Sequence, residues 1–240
     1  MLVQQLAHVA RKKAASAGGW DLASASYDTN KVDGTAGGTQ LRGVRFSPTG
    51  TTLFLCDNSD DEMRQFDLST PWDLSTASHI SGNDFGLSVG SYTPNGFFVG
   101  DSGTKLFSAQ NGASDRVRRY PLTSGWDLST AGGFDQFVDI SSQVGGPRDV
   151  FFRSNGERMY VLDSADEHIH QWNLSTPWDL STATHYSGGT LDVSSQESDA
   201  HSFYIRSDGK RLYVTCWTND TVYQYKMSTP WHITEARYNR

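Results

Sequence analysis

Two histidines alternate along one short run of the sequence. His168 and His170 stand in the run HIH, directly after Asp166 and Glu167. If this run is a β-strand, residues two apart lie on the same face, and two imidazoles on one face can bind a transition metal. The matching positions elsewhere in the chain carry Met, Val, Arg or Tyr, so we interpret the pair as polar residues at the solvent edge of a sheet. The sequence therefore predicts no metal site and no cofactor.

Four acidic residues recur at nearly equal offsets along the chain. They are Asp61, Asp115, Glu167 and Asp220. If the segments that carry them surround an axis, the carboxylates form a ring that can hold a cation such as Ca²⁺. Their loops lack the dense oxygen-ligand spacing of a dedicated Ca²⁺ site, so we interpret them as turn residues.

The usual motifs of catalysis are missing from the sequence. It contains no G-x-S-x-G, no H-E-x-x-H and no phosphate-binding glycine loop. Cys56 and Cys216 have no histidine beside them, which favours buried thiols over nucleophiles. We predict no catalytic residues and no enzymatic activity.

An internal repeat in the sequence determines the secondary-structure elements that must position any functional site. The phrase LSTPWDLSTA occurs at 68–77 and again at 174–183. Two markers share a period of about 53 residues, the tryptophans of this phrase and the last glycine of a tight turn. The markers are Trp20, Trp72, Trp126, Trp178 and Trp231, and Gly50, Gly103, Gly156 and Gly209. The chain thus holds four full units.

Each unit is typical of short β-strands. Two apolar runs flank the glycine turn, a third run precedes the tryptophan phrase, and a Ser/Gly-rich stretch after it contains a fourth strand. Four antiparallel strands per unit predict an all-β fold, a β-propeller of four blades over residues 20–240. A sandwich or a solenoid is the alternative, but a sandwich needs no strict long period.

The tryptophan phrase has a structural interpretation. Proline fixes a turn, the indole is buried between neighbouring blades, and the Ser and Asp residues cap the turn. The alternative is that the tryptophans stack on sugars or bases. The copy that begins at Trp20 is expected to complete the last blade beside 222–227, unless the C-terminal copy from Trp231 takes that place.

Residues 1–19 precede the repeat and form a different kind of segment. An apolar helical stripe is followed by a basic cluster, and residues 1–20 contain no acidic side chain. We predict a helical arm that docks to a partner, with a frayed terminus as the alternative. The partner-docking residues are Leu2, Val3, Leu6, Val9, Arg11, Lys12 and Lys13.

The overall composition excludes several classes of partner. The net charge of −7 disfavours nucleic acid, because phosphate contacts require a basic surface. No apolar run has the length of a membrane span, and the basic residues at the N-terminus follow the apolar ones, unlike those of a secretory signal. We therefore predict neither a membrane partner nor Sec-type export.

Two sequence stretches resemble known propeller repeats. SDGKRLYVT at 207–215 resembles the repeat of YVTN-type β-propellers, and LSTPWDLSTA with VYQY resembles repeats of propeller proteins from aquatic bacteria and their phages. The resemblance covers residues 20–240 and implies the propeller fold. Relatives usually have six or seven blades, and some are lactonases whose acidic and basic residues converge on the axis. No matching set of such residues is evident in the sequence.

These observations favour a noncatalytic structural protein. We expect a phage virion component, either a capsid decoration or a tail module, attached by residues 1–19 to other virion proteins or a larger assembly. Oligomers are compatible with this function. The alternative is a carbohydrate-binding propeller lectin, extracellular or at the cell surface, whose exposed aromatic residues bind a host surface glycan. A lactonase-type hydrolase is the third hypothesis.

Overall fold

The structure of the chain is a computed structural model, and it describes residues 28–33, 40–87, 92–196 and 198–238. The predicted docking arm, with Leu2, Val3, Leu6, Val9 and the basic residues Arg11, Lys12 and Lys13, lies outside these residues. Trp20 and its segment up to residue 27 lie outside them as well.

Four antiparallel sheets follow one another along the chain, and each corresponds to one repeat. The first blade comprises β1 (Leu41–Phe46), β2 (Thr52–Asp57), β3 (Glu62–Leu68), β4 (Ala77–His79) and β5 (Phe85–Gly86). The second comprises β6 (Thr93–Gly100), β7 (Lys105–Asn111), β8 (Arg116–Pro121) and β9 (Gln136–Asp139). The third comprises β10 (Pro147–Phe152), β11 (Arg158–Asp163), β12 (His168–Leu174) and β13 (Ala183–Asp192). The fourth comprises β14 (Ala200–Ile205), β15 (Arg211–Cys216), β16 (Val222–Met227) and β17 (Ala236–Tyr238). The predicted four-bladed propeller is confirmed.

Helical structure in the described ranges is limited to 3-10 turns of three residues each. None of these turns approaches the length or the apolarity of a membrane-crossing helix.

The glycine that ends each hairpin turn serves two purposes. Gly50, Gly103, Gly156 and Gly209 have φ angles of 73°, 89°, 74° and 70°, which glycine adopts without the penalty of a Cβ. Each glycine also lies against the indole of its own blade. A Cβ on Gly156 would stand 2.4 Å from ring atoms of Trp178. Both the positive φ of the turn and the position of the indole therefore require glycine here.

The tryptophan phrase has the same backbone course in every blade, although Gly125 replaces the proline in the second blade and His232 replaces the capping aspartate in the fourth. Trp178 has a φ of 64°, and its amide donates to the carbonyl of Gly156 at 3.0 Å. The carboxylate of Asp179 then caps a 3-10 turn by accepting from the amide of Ser181 at 3.0 Å. Proline, tryptophan and aspartate thus turn the chain from the third strand to the outer strand.

The indoles lie where one blade meets the blade before it. The ring of Trp178 stacks on Phe107 of the second blade with centroids 6.1 Å apart, and that of Trp231 stacks on Phe151 of the third blade at 6.5 Å. Trp178 and Trp231 are buried, whereas Trp72 and Trp126 are half-buried. In the second, third and fourth blades the phrase therefore fills the seam with the preceding blade, whereas Trp72 packs against Phe46 of its own blade.

Apolar side chains fill the three seams between consecutive blades. A fourth cluster, which includes Leu53 and Phe66, covers the remaining face of the first blade, and Val32 packs against it. The inner strands β1, β6, β10 and β14 contact one another in sequence, and β14 also contacts β1. The four inner strands therefore surround one axis.

The segment 28–33 occupies the place of a preceding blade's last residues. The side-chain amide of Asn30 donates to Asp73 Oδ1 at 3.2 Å, as that of Asn83, 53 residues later, donates to Asp127 Oδ1 at 3.5 Å. The outer strand of the fourth blade is β17, which pairs with β16. Of the two segments expected to compete for that strand, the C-terminal one forms it.

Candidate active site at the propeller axis

Each inner strand contains a β-bulge at the same point of its pairing. The register shifts between Leu41 and Gly43 in β1, and the other three inner strands shift at the matching residues. The extra residues are Arg42, Asn95, Arg148 and His201, each 53 positions after the previous one. A bulge redirects one side chain out of the regular alternation, and bulges are common beside active sites. We call these four residues the axial set.

Two members of the axial set join the first blade to the last. The Arg42 guanidinium donates from Nη1 to His201 Nε2, and from Nη2 to Gln40 Oε1 at 3.2 Å. Because arginine only donates, Nε2 of His201 must be unprotonated. The imidazole proton therefore lies on Nδ1, which is 3.6 Å from Asp199 Oδ1.

The surroundings keep His201 neutral. Burial lowers the pKa of His201, the positive charges of Arg148 and Arg42 lower it further, and Asp199 acts in the opposite direction. Burial and the charge of Arg148 also lower the pKa of Arg42, although a guanidinium remains charged at neutral pH. The axial set thus combines two cations with a neutral imidazole.

The other two members are held by neighbouring loops. Arg148 Nε donates to Ser164 Oγ at 2.9 Å, which anchors this side chain to the loop between β11 and β12. The Asn95 amide donates to the carbonyl of Pro147 at 2.9 Å and accepts from Asn58 Nδ2 at 3.2 Å. Neighbouring blades therefore fix the axial set in place.

Two polar atoms of the axial set, Arg42 Nε and His201 Nδ1, are buried and make no hydrogen bond to the described residues. Buried donors are nearly always paired, so either atom is available to an acceptor on a ligand bound at the axis.

Asp149 lies directly beside the axial set and connects all four blades. Its carboxylate accepts from Arg45 of the first blade at 3.1 Å and from Ser202 Oγ of the fourth at 2.6 Å. In the second blade, a Cβ on Gly96 would stand 2.5 Å from the Cα of Asp149, so only glycine allows this approach. We call this residue the hub.

An aromatic side chain stands at the edge of the axial set. Trp217 is 66% exposed, and its indole lies beside the ring of His201 with centroids 5.1 Å apart. An exposed indole with an apolar face and one N–H donor is available to contact a ligand beside the axial set.

The four acidic residues that we interpreted as turn residues lie in turns or loops of the structure. Asp61, Glu167 and Asp220 have positive φ angles, and the carbonyls of Asp61, Asp115 and Glu167 accept from amides near the outer strands. The carboxylate of Glu167 accepts from the amide of Ala200 at 2.8 Å, which ties the third blade to the fourth. These residues support the blades and lie apart from the axial set.

The histidine pair differs from its prediction. His168 is half-buried, but His170 is only 7% exposed and lies inside the third blade, beside the rings of Trp172 and His185. The interpretation of both as residues on a solvent edge is therefore wrong for His170. The two cysteines are buried thiols in different core clusters, Cys56 between the first two blades and Cys216 between the last two.

Sequence reasoning missed the axial set, although a signal was present. Arg42, Asn95, Arg148 and His201 repeat with the same period as the turn glycines. Their residue types differ from blade to blade, whereas structural positions such as Gly156 stay constant. A position that recurs every 53 residues but carries a different side chain in each repeat indicates a functional site.

Comparison with known proteins adds a family match. A model of the family described as "Lactonase, 7-bladed beta-propeller" matches residues 98–237. No curated protein matches the sequence.

Solved structures match at low identity. A proposed 6-phosphogluconolactonase of Bacteroides fragilis is 16% identical, with a TM-score of 0.53 over 83% of this chain and 53% of the other. A periplasmic gluconolactonase of Pseudomonas aeruginosa is 13% identical, with a TM-score of 0.51 over 82% and 55%. A β-propeller domain of Myceliophteria thermophila is 15% identical, with a TM-score of 0.52 over 92% and 64%. At these identities the structural similarity shows the fold alone.

The chain spans about half the length of the first two of these structures. The family match points to a hydrolase, so two predictions from the sequence are wrong, that of a noncatalytic phage virion component and that of no enzymatic activity. The expected virion partners and virion location followed from that function and stay predictions.

Proposed function

The chain belongs to the lactonase family of seven-bladed β-propellers, and from that membership we propose that it hydrolyses a lactone at the axial set. The described residues form four blades, and the chain covers 53% of the proposed Bacteroides fragilis lactonase. The activity of the whole protein is thus part of this proposal. The observation that carries it is the convergence of Arg42, Arg148 and His201 at equivalent bulges on one axis.

Lactone hydrolysis makes three demands on a site. Water adds to the carbonyl carbon and gives a proton to a base, a tetrahedral oxyanion forms, and the ring C–O bond then breaks while the base returns the proton to the leaving oxygen, which gives a hydroxy acid. The site must accept the proton of water, stabilise the oxyanion and hold the ring of the substrate.

His201 is suited to accept the proton. Its imidazole is neutral because burial and Arg148 and Arg42 lower its pKa, and Asp199 faces the nitrogen that carries the proton. Its Nε2 accepts from the Arg42 guanidinium. A substrate oxygen that attracts the Arg42 guanidinium exposes this lone pair to water.

Arg42 and Arg148 are suited to stabilise the oxyanion. Both are cationic, both lower the pKa of His201 by their proximity, and Arg148 is anchored by Ser164. Fixed cations in a partly buried site stabilise a developing negative charge more than water does, since they need not reorient.

Trp217 and the two arginines define the class of substrate. An indole beside His201 can stack on a saturated sugar ring, and the cationic pair favours a substrate that carries a negative group. We therefore propose the lactone of a sugar acid, with or without a phosphate, the class named for the two lactonases of similar fold.

The test is hydrolysis of glucono-δ-lactone, followed by pH-stat against the uncatalysed rate. Replacing His201 by Asn removes the base, and kcat/KM is expected to fall on the order of 10² to 10⁴-fold. Replacing Arg148 by Ala is expected to lower kcat on the order of 10² to 10³-fold.

His79→Asn is the matched control. His79 pairs with Asp84 on an outer strand of the first blade, away from the axial set, so this variant is expected to keep the activity of the parent. Hydrolysis no faster than the uncatalysed reaction, or an undiminished His201→Asn enzyme, would rule out the axial set as the active site.

A further inference from the structure

A second group of polar side chains lies in the third blade. Asp163, Asp166 and His170 each present one ligand atom, and these three atoms all lie within 4.8 Å of one another. We call them the third-blade cluster. None of them belongs to the axial set, and lactone hydrolysis as proposed does not use them.

His170 contributes a buried nitrogen that has no partner. Its side chain is only 9% exposed, and Nε2 makes no hydrogen bond to the described residues. The nearest charged atom is Asp166 Oδ2 at 3.8 Å, too far for a hydrogen bond. A buried imidazole nitrogen without a partner is costly unless something else binds it.

Asp163 is a rigid carboxylate with room for one more interaction. Oδ1 accepts from the amides of Gly146 and Ala165 at 2.9 and 2.8 Å, and Oδ2 accepts from Gly145 at 2.9 Å. A carboxylate offers about four acceptor positions, so these three bonds fix its orientation and leave one position free. Supporting contacts of this kind are typical of metal ligands.

Asp166 supplies the accessible side of the cluster. Its side chain is 45% exposed, which leaves a path from solvent, and its Oδ1 lies 3.1 Å from His168 Nδ1. His168 thereby orients the carboxylate from the outside, while Oδ2 points toward His170.

The first blade has an arginine at the position that His170 occupies in the third blade. The residues two repeats earlier are Asp57, Asp60 and Arg64. There the Arg64 guanidinium lies 2.5 Å from Asp60 and 3.6 Å from Asp57, so one fixed cation neutralises both carboxylates. In the third blade the same two acids remain, and an imidazole replaces the cation.

The second blade has different polar residues, but an arginine again pairs with them. Arg118 occupies the position of His170, and its Nη1 donates to Gln110, which stands where the other two blades have an aspartate. Each of these blades therefore matches its polar groups with an arginine, and the third blade alone of the three combines two acids with a nitrogen ligand.

We propose that Asp163, Asp166 and His170 bind a divalent first-row transition metal ion, of which Zn²⁺ is the model. One imidazole nitrogen and two carboxylate oxygens are donors that Zn²⁺ and Co²⁺ accept, with water in the fourth position. The ion takes the place of the Arg64 guanidinium of the first blade. It ties the loop between β11 and β12 to strand β12, a structural role that is independent of the proposed function.

The test is titration of the full chain with Co²⁺, followed by its visible absorption, and with Zn²⁺ followed by calorimetry. The parent protein is expected to bind one equivalent, to show the absorption of a Co²⁺ ion of low coordination number, and to melt at a higher temperature with metal than without it. An ion that binds only the folded state must stabilise that state.

His170→Arg is the decisive variant, because it recreates the ion pair of the first blade. It is expected to lose the Co²⁺ absorption and the metal-dependent rise in melting temperature, while its melting temperature without metal equals or exceeds that of the parent. His79→Gln is the control and is expected to bind metal like the parent.

Asp166→Asn provides a second variant at an exposed position, where folding is not at risk. It is expected to weaken Co²⁺ binding at least tenfold. A parent protein that binds no metal, or a His170→Arg protein that binds it as tightly as the parent, would overturn the proposal.

Discussion

At the scale of single residues, the molecule uses one backbone position per blade for chemistry. The bulge residue leaves the regular alternation of the inner strand, so its side chain is held by polar contacts at the axis and not by the apolar seams. This explains why Arg42 and His201 differ at a position where the fold is the same. The chemical identity of the site thus lies in residues that the core does not constrain.

The shifted pKa of His201 leads to a prediction at this scale. In the unfolded chain the imidazole titrates near its ordinary pKa of 6.5, and in the folded chain burial, Arg148 and Arg42 lower that pKa. As the pH falls below 6.5, the unfolded chain binds a proton that the folded chain does not yet bind. The stability present above pH 6.5 is therefore lost as the pH falls toward the folded pKa.

The measurement is the free energy of unfolding by urea between pH 7.5 and pH 5. The parent is expected to lose more stability over this range than His201→Asn, since the variant lacks the shifted group. Asparagine preserves the size and polarity of the site. Equal slopes for the two proteins would contradict the assignment of a neutral His201 in the folded state.

At the scale of elements, the repeated phrase acts as a joint between neighbouring sheets. In each blade the tryptophan has a left-handed backbone, covers the turn glycine of its own blade and, in the last three blades, packs against an aromatic ring of the blade before it. A residue with these contacts must be large and flat, and its surroundings must hold it at a positive φ. The tryptophan is therefore the same in every repeat because its backbone forms the turn and its ring fills the space beside the turn glycine.

Replacing Trp178 by Ala tests this joint. The ring is buried between Phe107 of the second blade and Gly156 of its own, so its loss leaves a cavity in a seam. We expect a loss of about 3–5 kcal/mol of unfolding free energy. Urea denaturation measures it.

Trp217→Ala is the matched control, since its indole is mostly exposed and lies on no seam. It is expected to change the unfolding free energy by less than about 1 kcal/mol. Similar losses for the two variants would show that burial in the seam is not what the phrase provides.

Much of the element scale could be predicted from the sequence, and the reasons are physical. The 53-residue period, the turn glycines and the apolar runs are local signals, and the strands Thr52–Asp57 and Arg158–Asp163 follow from them. The positive φ of Trp178 could not be predicted, because most residues with a Cβ avoid that region.

The site was harder to predict because it depends on pairing between strands. A bulge exists only relative to a partner strand, so the sequence around Arg148 does not reveal one. The correspondence of His170 with Arg64 can be read from the repeat, but only the folded structure shows that the residues of the third-blade cluster place their ligand atoms within 4.8 Å of one another. The contact of Arg42 with His201 joins the first blade to the last, so it cannot be predicted without knowing that these two blades lie side by side.

At the scale of the whole molecule, the hub residue holds the inner strands together. Asp149 is 3% exposed in its side chain and contacts groups of the other three blades. Asp149→Ala leaves the Arg45 guanidinium, which is largely buried, without its carboxylate. The expected loss is about 3–5 kcal/mol of unfolding free energy, because breaking a buried pair leaves an uncompensated charge.

Asp135→Ala is the control for the hub. Asp135 pairs with Arg119 at 2.7 Å but is 38% exposed, and such surface pairs contribute about 0–1 kcal/mol. Thermal and urea unfolding of both variants gives the comparison. A hub variant no less stable than the Asp135 variant would show that the inner strands do not depend on this carboxylate.

The contact between the first and the last inner strand changes how the repeats share their stability. In an open array of repeats, each unit depends only on its neighbours, and the terminal units open first. Here β1 touches β14 and Asp149 contacts every blade, so the first and fourth blades are joined at the axis, although in the described residues the apolar seams lie only between consecutive blades. Loosening the inner strand of one terminal blade therefore weakens the other as well, and we expect the four copies of the motif to unfold together.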